Sequence, residues 1–99
     1  WHQSAEQISR VIRAFNPRPI AYTNAIAKQF KNRVLRIVEA EVVNRQTTNS
    51  PGEVIKFDKD ICYVATCRGV INLKKVQLSG KKETSIKDFN NAYQLIKLN

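Results

Sequence analysis

The sequence predicts a mostly β domain with a helix near each end, and three observations support this fold class. Runs rich in β-branched residues recur through the middle of the chain and are separated by short turn signals. Two of these runs change the phase of their hydrophobic alternation, which is typical of strongly curved strands. The apolar spacing of a helix appears near both ends. The 99 residues suffice for one hydrophobic core, so we expect residues 1–99 to form a single domain.

The first predicted helix covers residues 4–15. Ser4 and Gln7 have the spacing of a capping box, and apolar residues follow at helical intervals: Ile8, Val11, Ile12 and Phe15. Residues 16–19 contain two prolines, which remove amide donors and favour extended backbone. The helix should therefore end at this point.

Five strands are predicted between the helices. The first covers residues 20–23, and residues 25–32 are interpreted as a connection. The longest, residues 33–43, also fits a helical face, but its many β-branched residues favour a strand. Pro51 and Gly52 suit the centre of a type II turn. The remaining predicted strands are residues 53–57, 61–66 and 70–78.

The two longest strands each contain a one-residue change of phase. In residues 33–43 the apolar positions are first Leu35 and Ile37, then Val38, Ala40 and Val42. In residues 70–78 they move from Ile71 and Leu73 to Val76 and Leu78, with Lys74 and Lys75 at the change. Such changes indicate bulges or bends, which let one strand serve two sides of a small barrel. We therefore expect a five-stranded, OB-like, partly open barrel, with a flat sheet covered by helices on one side as the alternative.

A second helix is predicted from Ser85 onward, where Asp88 completes a capping box. Ile86, Phe89, Tyr93 and Ile96 would lie on one helical face. We expect that face to pack against the sheet.

The net charge of +9, with a pI near 10.0, favours an anionic partner such as nucleic acid or a membrane surface. No apolar run approaches the roughly 20 residues of a membrane span, and the first residues lack the features of a signal peptide. Cys62 and Cys67 fit reduced thiols, and with His2 they make a poor zinc set. The sequence thus predicts a cytoplasmic protein without a metal site.

Candidate catalytic groups are few. The single histidine, His2, is terminal, so a nucleophile activated by histidine is not expected. Glu39 and Glu41 share a strand face, and Asp58 and Asp60 share a turn; such pairs are typical of solvated surface positions. The sequence predicts a chain without catalytic residues.

Basic residues on several predicted elements are the candidate RNA-binding residues. The glycine before Lys81 and Lys82 exposes these two cations on a loop, and Arg36 should share an outer barrel face with Lys74 and Lys75. Tyr22, Tyr63 and Tyr93 could stack on bases, but each also fits a core position, so contact with the phosphate backbone is favoured. The candidates are Lys74, Lys75, Lys81, Lys82, Arg36, Arg33, Lys28 and Lys31.

Three segments resemble the C-terminal domain of bacterial methionyl-tRNA formyltransferases. They are SAEQISRVIRAFNPRPIAYT, NSPGEVI and GVINLKKVQLSGKKETSIKDFNN, and the resemblance extends over nearly the whole chain. Its most specific parts are residues 13–17, the turn at residues 51–52, and residues 80–89. The family usually carries an aromatic residue between the two prolines, where this chain has Arg18.

The resemblance implies an OB-like accessory domain that holds initiator tRNA through its backbone. It also implies an N-terminal formyltransferase domain as a partner, which would supply the chemistry and use 10-formyltetrahydrofolate as cofactor. Related C-terminal domains occur in formyltransferases that act on nucleotide sugars and in formyltetrahydrofolate dehydrogenases. In those proteins the domain need not touch RNA, and the alternative for this chain is a structural packing domain of a formyltransferase that acts on another substrate, without nucleic-acid contact.

Overall fold

A computed structural model of the protein describes residues 1–15 and 21–99, with only the backbone at Phe15. The predicted end of the first helix at residues 16–19, with Arg18, lies outside these residues, as does Ile20. Within the described chain, neither helix is long and apolar enough to cross a membrane. The elements in order are α1 (Ala5–Phe15), β1 (Ala21–Ala27), β2 (Phe30–Val43), β3 (Val54–Asp58), β4 (Ile61–Ala65), β5 (Val70–Leu78), β6 (Thr84–Ser85), α2 (Ile86–Ala92) and β7 (Leu95–Leu98).

The strands form one antiparallel sheet in the order β3-β4-β5-β2-β1-β7, and β6 pairs with β5. The two ends of this sheet approach each other. The Leu98 amide donates to the Gly52 carbonyl at 2.7 Å, and Glu53 forms an isolated bridge with Lys97. The sheet is therefore a nearly closed barrel, which confirms the mostly β fold class with flanking helices and excludes the flat alternative.

Two predictions about the strands are wrong. Residues 25–32 are not a connection, because β1 continues to Ala27 and a two-residue turn leads directly into β2. The final helix ends at Ala92, so Ile96 lies on β7, where it is exposed. Both errors share a cause. β1 turns alanines into the barrel, and β7 is only four residues long, so neither carries a strong strand signal.

The predicted change of phase in the two longest strands is confirmed. Ile37 pairs with Val76, Glu39 with Lys75, and Ala40 with Leu73. Val38 in β2 and Lys74 in β5 are therefore extra residues on their strands. Because each strand carries one extra residue, the two shifts cancel and the strands pair in regular register again beyond the bulges. Both strands bend at this point.

The core fills the barrel interior and extends under both helices. Ile12 of α1 and Phe89 of α2 are buried against it, whereas Val11 is exposed. Within the described chain, the largest completely buried side chains all lie on strands: Leu35, Ile71, Leu73, Leu78, Leu98, Val64, Val70, Val76 and Cys62. Burial of this apolar surface is the main stabilising term of the fold.

The predicted caps and turn are confirmed by their hydrogen bonds. The Gln7 amide donates to Ser4 Oγ at 3.2 Å, and the Ser4 amide donates to Gln7 Oε1 at 3.3 Å. At α2, the Asp88 amide donates to Ser85 Oγ at 3.3 Å. The Glu53 amide donates to the Ser50 carbonyl at 3.1 Å, and Gly52 has a φ of +89°, as position i+2 of a type II turn requires.

The two cysteines are free and differ in reactivity. Burial raises the pKa of the Cys62 thiol to about 12, whereas Cys67 is exposed. We expect a thiol reagent to modify Cys67 in the folded protein and Cys62 only after unfolding, because the thiolate is the reactive form. The unfolded state releases the Cys62 proton at lower pH than the folded state does, so this group lowers the free energy of unfolding as pH rises from about 9 towards 12.

Thiol titration of a Cys67→Ser variant, with and without denaturant, measures Cys62 alone. Rapid modification of Cys62 in the folded variant would contradict its burial. Urea denaturation of the same variant at increasing alkaline pH, compared with a variant that also carries Cys62→Ala, isolates the contribution of the buried thiol.

Candidate nucleic-acid interface

The β1–β2 hairpin presents cations at one end of the barrel. Lys28 lies in the turn and Lys31 on the first part of β2, and both are exposed. The turn is held in place because the Lys28 amide donates to the Gln94 carbonyl at 2.9 Å, while the Gln94 amide donates to Gln29 Oε1 at 3.0 Å. These bonds fix the backbone and leave both lysine side chains at the surface.

The loop with Lys81 and Lys82 begins beside the same part of β2. The Ser79 amide donates to the Val34 carbonyl at 3.0 Å, which extends the pairing of β5 with β2 to its last residue. Gly80 then adopts a φ of +80°, and the Lys81 amide donates back to the Leu78 carbonyl at 2.9 Å, which closes a tight turn. Lys81 and Lys82 are exposed. The two loops therefore lie at the same end of the barrel.

Arg33 joins these loops. Its guanidinium donates to the Ser79 carbonyl at 2.7 Å and lies 5.6 Å from the centre of the Phe30 ring. The side chain is partly buried, and it holds the turn after β5 against β2. Its charge remains at this end of the barrel, but its hydrogen bond with Ser79 gives it a structural role that the sequence pattern did not indicate. We call Lys28, Lys31, Arg33, Lys81 and Lys82 the hairpin-end cluster.

The sequence around the hairpin contains no opposing charge. No aspartate or glutamate occurs between Glu6 and Glu39, so β1 and the first half of β2 are entirely free of acidic residues. Of the cluster's near neighbours in the sequence, Glu83 is acidic and directly follows Lys82. The β1–β2 hairpin therefore carries positive charge without a carboxylate of its own.

The outer barrel face carries a second basic group. Arg36 pairs with Gln77, and Lys75 lies two residues before Gln77 on β5. Leu35, Ile37 and Val76 point into the core, so Arg36 and Lys75 share the outer face, as the sequence predicted.

Lys74 differs from its neighbour Lys75. It occupies the bulge, and its Nζ lies 3.9 Å from Glu41 Oε1. The same carboxylate oxygen accepts a hydrogen bond from Asn72 at 3.1 Å. Glu41 therefore partly offsets the charge of Lys74, and Glu39 lies directly opposite Lys75 across the strands, so Arg36 is the strongest candidate on this face.

The remaining described basic residues lie outside these two groups. They are Arg10 and Arg13 on α1, Arg45, Lys56, Lys59 and Arg68 around β3 and β4, Lys87 on α2, and Lys97 on β7. Arg45 is positioned by an aromatic ring, since its guanidinium lies 5.9 Å from the centre of Tyr63. The cations are therefore spread over the molecule, and what sets the hairpin end apart is the acid-free stretch of sequence that contains Lys28, Lys31 and Arg33.

The three tyrosines differ in their exposure to solvent. Tyr93 is partly buried and its ring lies 5.0 Å from Phe89 and 5.6 Å from Phe30, as expected of a core residue. Tyr63 is also partly buried. Tyr22, however, is 72% exposed, so of the two positions that its sequence pattern allows, it occupies the surface one. A strand that continues to Ala27 places Thr23, Ala25 and Ala27 on the inner face, and this alternation indicates that Tyr22 faces outward.

The described residues contain no group of three or more histidine, cysteine or carboxylate side chains that could hold a metal ion. Asp58 accepts a hydrogen bond from the Lys59 amide at 2.8 Å, which is a turn contact. What these residues present together is a basic surface on a rigid barrel.

Comparison with known proteins places this barrel in a family. The family model for the formyl transferase C-terminal domain matches residues 1–94. The chain belongs to this family. It is 43% identical over 95 residues to a methionyl-tRNA formyltransferase of Hydrogenovibrio crunogenus, covering 96% of this chain and 29% of that protein. The resemblance noted in the sequence is thereby confirmed.

Other methionyl-tRNA formyltransferases match the chain to a similar extent. A methionyl-tRNA formyltransferase of Legionella pneumophila is 41% identical over 92 residues, which are 93% of this chain and 28% of that protein. One of Coxiella burnetii is 40% identical over 93 residues, or 94% of this chain and 28% of that protein. This formyl transferase C-terminal domain thus spans less than a third of the length of the relatives that it matches.

Proposed function

We propose that this domain binds initiator tRNA for a methionyl-tRNA formyltransferase, and that it holds the RNA through contacts with its phosphate backbone. The formyl transfer from 10-formyltetrahydrofolate would belong to an N-terminal formyltransferase domain of the same protein. The domain would thus act in translation initiation in the cytoplasm. We infer the substrate from the names of the relatives, and we infer the mode of binding from the hairpin-end cluster.

The hairpin-end cluster is the observation that carries this proposal. Two loops, held together by the contacts of Ser79 with Val34 and Arg33, present four exposed lysines next to a segment without acidic residues. An RNA phosphate that contacts a lysine releases condensed counterions, which makes the affinity depend on salt but not on sequence. Lysines on short anchored loops suit such contacts because their backbones are already ordered.

The salt dependence of tRNA affinity tests the proposal. We expect the affinity of the domain for initiator tRNA to fall steeply as salt rises. In the double variant Lys81→Gln and Lys82→Gln, the slope of log K against log salt should shrink by about one for each lysine–phosphate ion pair that the substitutions remove. Fluorescence anisotropy with labelled tRNA, measured at several salt concentrations, gives both slopes.

The matched control is the double variant Arg45→Gln and Arg68→Gln, which removes two exposed cations at the opposite end of the barrel, after β2 and between β4 and β5. It carries the same net charge as the Lys81 and Lys82 variant, and its slope should stay close to that of the original protein. Affinity that does not depend on salt, or no binding at low salt, would overturn the proposal.

A structural role is the second candidate, and the exposed apolar surface of α1 favours it. Val11 is 39% exposed on the helix face beside Ile12, which leaves apolar surface that a neighbouring domain could cover. In that case the domain would stabilise its catalytic partner domain and would bind no RNA. The salt experiment separates the two candidates, because only the first predicts tRNA affinity for the domain itself.

A further inference from the structure

Within the described chain, Tyr22 is the one tyrosine whose ring lies open on the outer barrel face. The residues on either side of it are less exposed: Ala21 is partly buried, and Thr23 is buried with 8% exposure. Tyr22 itself is 72% exposed; it pairs with β2 on one side, and the pairing of β1 with β7 begins only at Ala25. The ring therefore lies near the start of β1, open to solvent.

Tyr22 also has a cationic neighbour. It pairs directly with Arg36 across β1 and β2, and Arg36 in turn pairs with Gln77 on β5. Directly opposite residues on one sheet face have Cβ atoms about 4.5–5.5 Å apart, so the two side chains leave the sheet from adjacent positions. We call Tyr22, Arg36 and Gln77 the outer row.

The outer row leads towards the hairpin-end cluster. The Gln77 side-chain amide donates to the Lys81 carbonyl at 2.9 Å, which connects the row to the basic loop after β5. In the other direction along the same strand, Lys75 lies directly opposite Glu39. The surface thus offers an aromatic ring, a guanidinium on the neighbouring strand and basic side chains towards the hairpin end.

We propose that the outer row binds an unpaired nucleotide of RNA, with its base stacked on Tyr22 and its phosphate at Arg36. This inference rests on the proposed function and adds base contact to phosphate contact. A ring beside cations suits a single-stranded nucleotide because every base has a π-face, whereas the bases of a duplex are stacked on one another. A purely apolar partner would leave Arg36 to be desolvated without a counter-charge, because its cross-strand neighbours Tyr22 and Gln77 carry none.

The test compares two labelled RNAs: a hairpin with a short single-stranded tail, and the same hairpin without the tail. Tyr22→Leu keeps the bulk and the apolar character but removes the π-face. We expect this variant to bind the tailed RNA at least about fivefold more weakly, the lower limit for one stacked base, and to bind the blunt hairpin as the original protein does. Tyr22→Phe keeps the ring and should retain the affinity for both.

Val42→Ala is the matched surface control, because Val42 lies on the far half of β2 and is 43% exposed. It should leave both affinities unchanged. The inference would be wrong if Tyr22→Leu changed neither affinity, or if it lowered the affinities for the two RNAs equally. An unchanged affinity would instead indicate that the ring contacts a protein. The proposed function would survive either result if the affinity still fell with salt. Absence of binding by the original protein would overturn both.

Discussion

Gly52→Ala should destabilise the domain by about 3–5 kcal/mol, the largest effect of a single methyl group in this chain. A Cβ at this position would lie 1.9 Å from the Leu98 carbonyl oxygen, and the φ of +89° is itself unfavourable for alanine. The Gly52 amide donates to the Ala65 carbonyl at 2.8 Å, and its carbonyl accepts from the Leu98 amide at 2.7 Å. Relief of the clash therefore requires the barrel to open between β3 and β7.

Gly80→Ala is the control for this prediction. Gly80 has a similar φ of +80°, but an added Cβ would meet no atom within 4 Å. Its cost should be about 1 kcal/mol, because only the backbone conformation is penalised, and the reduced freedom of the unfolded chain offsets part of that penalty. Urea denaturation gives both values. Equal losses in the two variants would show that β7 does not close the barrel at Gly52.

The curvature of the barrel could be predicted because a bulge leaves a trace in the sequence. An extra residue on a strand moves all later side chains to the opposite face, so the apolar positions after Ile37 and after Leu73 change parity. The caps at Ser4 and Ser85 were predictable for a similar reason, since a cap needs a particular side chain at a fixed spacing.

The closing strand could not be predicted in this way. β7 consists of Leu95–Leu98, and its apolar residues continue the helical spacing of Ile86 and Phe89. Whether such a short segment becomes strand or helix is decided by its partner, here β1 and the Gly52 turn, which the local sequence does not encode. The exposure of Tyr22 could not be predicted for a related reason. The inward-facing set Thr23, Ala25 and Ala27 is recognisable only if β1 is known to continue to Ala27.

The candidate site was predictable in charge but not in arrangement. The sequence identifies Lys81 and Lys82 as exposed loop residues, and the structure places them there. It does not reveal that Lys28 and Lys31 lie at the same end of the barrel, since this follows from the antiparallel pairing of β2 with β1 and β5. Nor does it reveal that Arg33 and Lys74 have partners within the protein.

Neutralising the four lysines of the hairpin-end cluster should have the largest effect on RNA binding. The variant with Gln at Lys28, Lys31, Lys81 and Lys82 has a net charge of +5, four less than the original +9. If each lysine contacts a phosphate, the slope of log K against log salt should shrink by about three to four, and the affinity at about 50 mM salt should fall by more than about a hundredfold. All four side chains are exposed, so the free energy of unfolding should change little.

The decisive measurement compares this variant with one of identical charge in which the cations are removed elsewhere. Gln at Arg10, Arg13, Arg45 and Arg68 also gives +5, and all four residues are exposed and lie on α1 or at the opposite end of the barrel. Titration of both variants with labelled initiator tRNA over a range of salt separates position from total charge. We expect the steep salt dependence to survive in the second variant and to be largely abolished in the first; equal reductions in both would contradict a binding surface at the hairpin end.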